Sequence, residues 1–347
     1  MEKSQSSSNS TMRKKSGGLA VLKKIGIFRS SNSLSPIVVI AGLILAIIYP
    51  LFLGASQLGY LGILEIYFIW IILAESWNLV GGYAGLINLG MVAFFGLGSV
   101  LTSIVLISGL PFGGAILISA LGGGIFALIL TPTFRLRTDY FAIATLVIPI
   151  VLKPIIEYTQ KHSNYQWPSG LPINQLEFYE LGVLLTALTI FGIYFMMRSR
   201  IGMALRGVGD DEQVSATVGV NVLVFKTVAL VASGVIAATA GSYYLSYILA
   251  VNTSIFLNLT FSLYPIFMVI IGGVGTFEGP IVGALLFSAI TYEVNTYFPS
   301  SNIEVLIFSV VIMIVAVLLP KGLVPSLRRF AASRGRKTSP AIVEKTT

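Results

Sequence analysis

A few polar side chains lie within or beside long apolar runs: Glu65, Glu75, Asn78, Asn88, Thr145, Ser233, Ser262, Glu278 and Glu293. A carboxylate in such a run can relay a proton or hold a cation, and the cost of its burial makes it a functional candidate. Glu65 and Glu75 stand ten residues apart. On one helix that is ~15 Å of rise and roughly 80° away from a shared face, so the two do not make one site by themselves. Two glycine-rich segments interrupt the same runs: WNLVGGYAGLINLGMVAFFGLGS, residues 77–99, and IGGVGTFEGPIVGA, residues 271–284. Glycine in a membrane helix permits either close helix packing or a broken helix. A break frees backbone N–H and C=O groups that lipid cannot satisfy, so it must face protein or a water-filled path. Transport sites use such unwound backbone. Packing and path lining both stay open for Gly85, Gly90, Gly96 and Gly98.

Other chemistries are excluded by residue type. The chain has no Cys, and His162 is its single His. A thiolate nucleophile, a Cys metal site and a His-based metal site within one chain are therefore absent. No G-x-x-x-x-G-K-[ST] occurs, so the chain carries no phosphate loop of that kind. GGVGTFEG has the spacing flavour of a dinucleotide fingerprint but lacks the surrounding strand–helix–strand context. An intramembrane enzyme is poorly supported, because no nucleophile and base stand together.

The elements that must position these residues are membrane helices. Of 347 residues, 55% are hydrophobic and only 10% charged, with mean hydropathy +0.89. The apolar residues form continuous blocks near the ~20 residues that span hydrocarbon, without the alternation of a β-barrel. The fold class expected is an all-α polytopic membrane protein with about ten transmembrane helices (eight to ten), some broken by glycine. The candidate spans are 36–54, 58–80, 88–108, 112–131, 140–157, 181–197, 223–250, 261–275, 280–298 and 303–319. Flanking them are a disordered basic tail at 1–35 and a second basic tail at 324–347. The first 35 residues have no apolar core of a cleavable signal.

Charge orients the chain. With ten crossings, all but three of the 22 Lys and Arg (Lys153, Lys161 and Lys226) fall on one side. The positive-inside rule then places both termini in the cytoplasm. The net charge of +8 sits in tails and loops flanking the spans, which points to membrane topology and not to nucleic acid. The largest outer loop is 158–180, either a receiver of delivered substrate or a plain connection. Asn252 and Asn258 stand in N-x-S/T sequons on the outer side.

One inner loop differs from the rest. SRIGMALRGVGDDEQVSATVG, residues 199–219, is charged and helix-capable. Asp210 is expected to cap a following turn, with the acids favouring that helix's N-terminus. Ala204, Val208, Val214, Ala216 and Val218 give it a small apolar side suited to docking on a soluble partner. The alternative is a helix on the headgroups; its acids disfavour an anionic leaflet.

These blocks resemble the LivM-type permeases, membrane subunits of ABC importers for branched-chain amino acids, with urea-type permeases as close relatives. The resemblance is carried by residues 199–241, by both glycine segments, by RLRTDYFAIATLV at 135–147 and by PKGL at 320–323. It covers about residues 60–325. It implies that Gly202, Ala204, Leu205, Arg206, Asp210, Asp211, Glu212, Ala216 and Gly219 form a coupling loop that touches an ATPase. It implies a translocation path near Asn78, Gly81, Tyr83, Gly85, Asn88, Gly90, Thr145, Ser262, Gly272, Gly273 and Gly275; Leu89, Gly279 and Pro280 also match the family blocks. Asn88, Met91, Met203 and Gly209 depart from residues common in the family. The partners implied are two ABC ATPase subunits, a second related permease and an extracytoplasmic binding protein. ATP and Mg²⁺ would bind the ATPases, with no cofactor or metal in this chain. The expectation is the permease subunit of a cell-membrane importer for branched-chain or other amino acids. A urea or amide permease, and a secondary transporter or channel driven through Glu65 or Glu75, are the alternatives.

Overall fold

The computed structural model describes residues 34–52, 61–135, 138–162, 174–248, 253–298, 303–319 and 321–335. The N-terminal tail, residues 163–173 of the 158–180 loop, Asn252 and the end of the C-terminal tail lie outside them. The chain forms two compact units, residues 1–44 and 45–347. Of the first, only residues 34–44, at the beginning of helix α1 (Leu34–Ile48), are described.

Every described element is helical. The helices are α2 (Leu61–Trp77), α3 (Met91–Ile107), α4 (Phe112–Ile129), α5 (Thr138–His162), α6 (Gln175–Arg198), α7 (Arg200–Asp210), α8 (Glu212–Thr217) and α9 (Val222–Ile248). After a single turn, α10 (Thr253–Phe256), come α11 (Thr260–Gly272), α12 (Gly279–Tyr297), α13 (Ile303–Leu318) and α14 (Leu323–Gly335). Helix pairs its own backbone groups, which is the requirement for crossing hydrocarbon. Each of the ten apolar stretches read from the sequence carries a helix. Among the described residues five helical segments are long and apolar enough to cross a membrane: Leu61–Tyr83, Phe112–Ile129, Tyr140–Thr159, Gln175–Arg198 and Val222–Ile248. The apolar α3 and α11 are shorter. Residues 324–335, assigned above to a terminal tail, are helical.

Helix α2 is the hub. It packs on α6 and α9 and, on its other side, on α11 and α12, while α9 packs along α3 and α4. Small residues make the α3–α4–α9 contacts close. A Cβ on Gly98 would strike the Ala238 backbone, one on Gly123 the Gly234 carbonyl, and one on Gly241 the Phe95 carbonyl. Lipid supplies no hydrophobic drive between helices, so close backbone approach and hydroxyl bonds carry the association. Here Ser99 Oγ donates to the Gly241 carbonyl (2.8 Å), and Thr102 Oγ1 bonds Ser119 Oγ (2.7 Å) and Ser242 Oγ (2.6 Å). Leu117, Leu121, Ile125 and Leu128 stand exposed along one stripe of α4, the spacing of a lipid-facing surface. Phe261 of α11 stacks on Phe95 of α3 and Trp70 of α2 at centroid distances of 4.5 and 5.3 Å.

Candidate functional site

Most of the residues singled out from the sequence gather at one end of the bundle, where α2 breaks. Its last turn widens into a π-helix over Asn78–Tyr83, a distortion common at functional sites. Residues 84–90 are not helical. Gly81 and Gly82 are needed here because neighbouring groups occupy their side-chain space: the Trp77 ring at Gly81, and the Asn78 amide with the Gly275 backbone at Gly82. The Trp77 indole Nε1 donates to the Asn88 carbonyl at 2.8 Å and closes the loop over the break.

Helix α3 then starts with backbone donors that have no partner in the preceding turn. Three side chains supply one. Asn88 Oδ1 accepts from Gly90 N (2.9 Å), Thr145 Oγ1 of α5 accepts from Leu89 N (3.2 Å), and Ser262 Oγ of α11 accepts from Val92 N (2.9 Å). All three side chains are buried, and Gly90 lies against the Thr145 carbonyl. The polar residues placed near a path by sequence thus hold a broken helix end within this chain.

Asn78 joins the two glycine segments. Its Nδ2 donates to the Thr276 carbonyl and its Oδ1 accepts from Gly275 N, both at 2.9 Å. Gly275 has φ 68° and Gly273 φ 130°, the left-handed side that favours glycine. Gly272 lies against the Gly279 backbone. Thr276 Oγ1 accepts from Gly279 N (3.1 Å) at the start of α12. Thr276 and Gly82, central to this clasp, were not singled out from sequence; their signal was only adjacency to the glycines that were.

The polar loop seats on the same break. Gly209, near the end of α7, lies against the Tyr83 carbonyl, and a Cβ on Gly85 (φ 71°) would come within 3.2 Å of Gly209 Cα. The Arg206 guanidinium sits 5.6 Å above the Tyr83 ring. Leu205 and Val208 are buried, as is Gly202, whose Cβ would strike the Met197 backbone. Ala204 is half-buried. Arg206, Asp210, Asp211, Glu212, Ala216 and Gly219 are exposed, together with Met203, Val214 and Val218. The cap falls one residue later than expected: Asp211, with extended backbone, accepts from Gln213 N (2.9 Å) and Val214 N (3.0 Å) to start α8. Asp210 completes α7 instead. Val208, expected on the docking side, is buried instead, on the helix whose Gly209 lies against the break. Glu212 pairs with the nearly buried Lys226 of α9 and ties α8 down.

The acidic residues separate. Glu65 accepts from Gln175 Nε2 at 2.7 Å, Glu278 pairs with Arg328 at 2.6 Å, and Glu293 is exposed. Glu75 is fully buried, and neither carboxylate oxygen has a hydrogen-bond partner among the described residues; the buried Tyr83 hydroxyl has none either. Ser233 Oγ bonds Ser76 Oγ at 3.0 Å. Exposed Asn258 accepts from Thr260 N in a turn before α11.

A buried polar group left unpaired costs about 1–3 kcal/mol, and replacing it by an apolar group of similar volume is often stabilising. Glu75→Leu is therefore expected to raise the unfolding temperature of the purified protein. A lower unfolding temperature would show that Glu75 has a stabilising partner.

Residues 59–317 match the family described as "Branched-chain amino acid transport system / permease component". The chain is similar to the high-affinity branched-chain amino acid transport system permease protein LivM of Escherichia coli, with 25% identity covering 83% of this chain and 75% of the relative. The probable LivM permease of Methanocaldococcus jannaschii is 22% identical, covering 73% and 90%. A nucleoside ABC transporter permease protein, NupC, of Lactococcus lactis is 27% identical over a shorter stretch, 46% of this chain and 58% of the relative. With helices long and apolar enough to cross a membrane and a family match over most of its length, this chain belongs to the permease family of branched-chain amino acid transport systems.

Proposed function

We propose that the chain is the membrane permease subunit of an ABC importer for branched-chain or other amino acids. Two ATPase subunits, which bind ATP and Mg²⁺, would dock on the exposed side of α7 and α8. A second related permease would complete the path, and an extracytoplasmic protein would deliver substrate. The observation that carries this reading is the seat of α7 on the break: Gly209 against Tyr83 and Gly85, and Arg206 over Tyr83. A push on α7 has to move the π-helix, and Asn78 passes that motion to the second glycine segment. Residues 77–90, 198–212, 273–279 and 321–328 share contacts at this end of the bundle. Their basic residues make it the cytoplasmic end under the positive-inside rule.

The substrate reading rests on the LivM relatives; the NupC relative makes a nucleoside the second reading. The test is purification of the chain in mild detergent from its native membrane, followed by reconstitution of what remains bound. Recovery of two ATPases and a second permease, with ATP-driven accumulation of labelled leucine, is the expected result. ATP-driven accumulation of a labelled nucleoside in place of leucine would transfer the assignment to nucleosides. Recovery of the chain alone, moving solute under an ion gradient, would overturn the importer reading.

A further inference from the structure

We propose that α14 lies along the anionic headgroup surface of the cytoplasmic leaflet and anchors the second glycine segment to it. The cytoplasmic assignment rests on the topology given under Proposed function. Gly322 (φ 82°) turns the chain out of α13 and lies against the backbone of Gly272 and Gly273. The next turns present two opposite faces. On one, Pro325 packs on Gly273 and Arg328 Nη2 bonds Glu278 Oε2 at 2.6 Å, so this face holds the glycine segment. On the other, Leu327 and Phe330 stand 63% and 59% exposed, and Arg329, also exposed, lies between the two faces. At 100° per residue the two faces are roughly 160° apart.

The occupant of the outer face follows from position and charge. Four residues separate α14 from α13, whose Val317 and Leu318 are themselves exposed. That places Leu327 and Phe330 beside the hydrocarbon boundary, where an apolar stripe flanked by arginine binds an interface. Residues 323–343 contain Arg328, Arg329, Arg334, Arg336 and Lys337 and no acidic residue. Such a segment complements anionic lipid, whereas α7 and α8 expose Asp210, Asp211 and Glu212, which suit a soluble partner. The two cytoplasmic helical regions thus divide the work, one facing lipid and the other facing protein.

The chain has no cysteine, so single labels are unambiguous. Leu327→Cys, Phe330→Cys and, as reference, Met203→Cys are spin-labelled in the full transporter. Each is reconstituted in phosphatidylcholine vesicles with or without phosphatidylglycerol, and relaxation by membrane-dissolved oxygen is compared with relaxation by a water-soluble nickel chelate. With phosphatidylglycerol, positions 327 and 330 are expected to favour oxygen, whereas position 203 is expected to be shielded from both reagents by the docked ATPases and to favour the chelate once they are stripped. Adding Arg329→Gln is expected to weaken the lipid contact about fivefold, the effect of one basic residue near such a surface. Chelate-accessible labels at 327 and 330 in both lipids would overturn the proposal. So would shielding from both reagents that is lost when the ATPases are stripped, which would assign the face to a soluble subunit. Position 203 reports ATPase docking separately, so failure of the importer reading is distinguishable.

Discussion

Asn78→Ala is expected to reduce ATP-driven uptake more than tenfold while the chain still inserts and the assembled transporter still hydrolyses ATP. The Asn78 side chain is fully buried and makes two bonds to backbone, one to Gly275 N and one to the Thr276 carbonyl. Truncation leaves both backbone groups without their partner, at about 1–3 kcal/mol each, and tenfold corresponds to about 1.4 kcal/mol. Among the described residues no other hydrogen bond joins the π-helix to the second glycine segment, leaving only the Gly82–Gly275 packing contact to keep their motions together. Asn78→Asp is expected to do no better, because an anionic oxygen would face the Thr276 carbonyl. Uptake and hydrolysis measured on the same vesicles check this. Normal coupled uptake by Asn78→Ala would mean that the two glycine segments need not move together.

Gly85→Val should be as severe, for a different reason. Gly85 has φ 71°, a conformation costing a β-branched residue at least ~1–2 kcal/mol. Its side chain would also be driven into the Gly209 backbone, which lies 3.2 Å from the Cβ position. The collision pushes α7 off the break. Binding of the ATPases to the exposed side of α7 and α8 is expected to survive, while ATP-driven uptake is lost. The control is Gly113→Val on α4, where a Cβ meets nothing within 4 Å; it is expected to transport normally. Equal uptake by the two variants would remove the seat of α7 from the coupling route.

How much of this was legible beforehand differs by residue. The two glycine segments were readable as interruptions, because glycine recurs there within otherwise continuous apolar runs. That Gly82 and Gly275 meet was not, since they lie far apart in sequence. Asn88, Thr145 and Ser262 were readable only as polar residues in costly places. The task they perform, holding the first N–H groups of α3, depends on helices 56 and 170 positions away. In the loop, length and charge pointed to docking, but the inward turn of Gly202, Leu205 and Val208 is set by the Met197 backbone and the break beneath. The shift of the cap from Asp210 to Asp211 lies within what sequence leaves open, since either of two adjacent aspartates can cap and only the extended backbone at Asp211 selects one. The helix at Leu323–Gly335 was hidden by its basic composition and is held by Pro325 on Gly273 and the Arg328–Glu278 pair.

Composition alone determined the class of this protein. A chain with so few charges must take lipid as its solvent, and continuous apolar blocks in lipid must be helical, because each backbone group has to find its partner locally. The placement of basic residues gave an expected side for each loop through the positive-inside rule. Only the tertiary structure decided what the polar residues do. Their partners sit on other helices at separations that no local period encodes, and a buried hydroxyl or amide acquires a role only when a specific unpaired backbone group is brought to it.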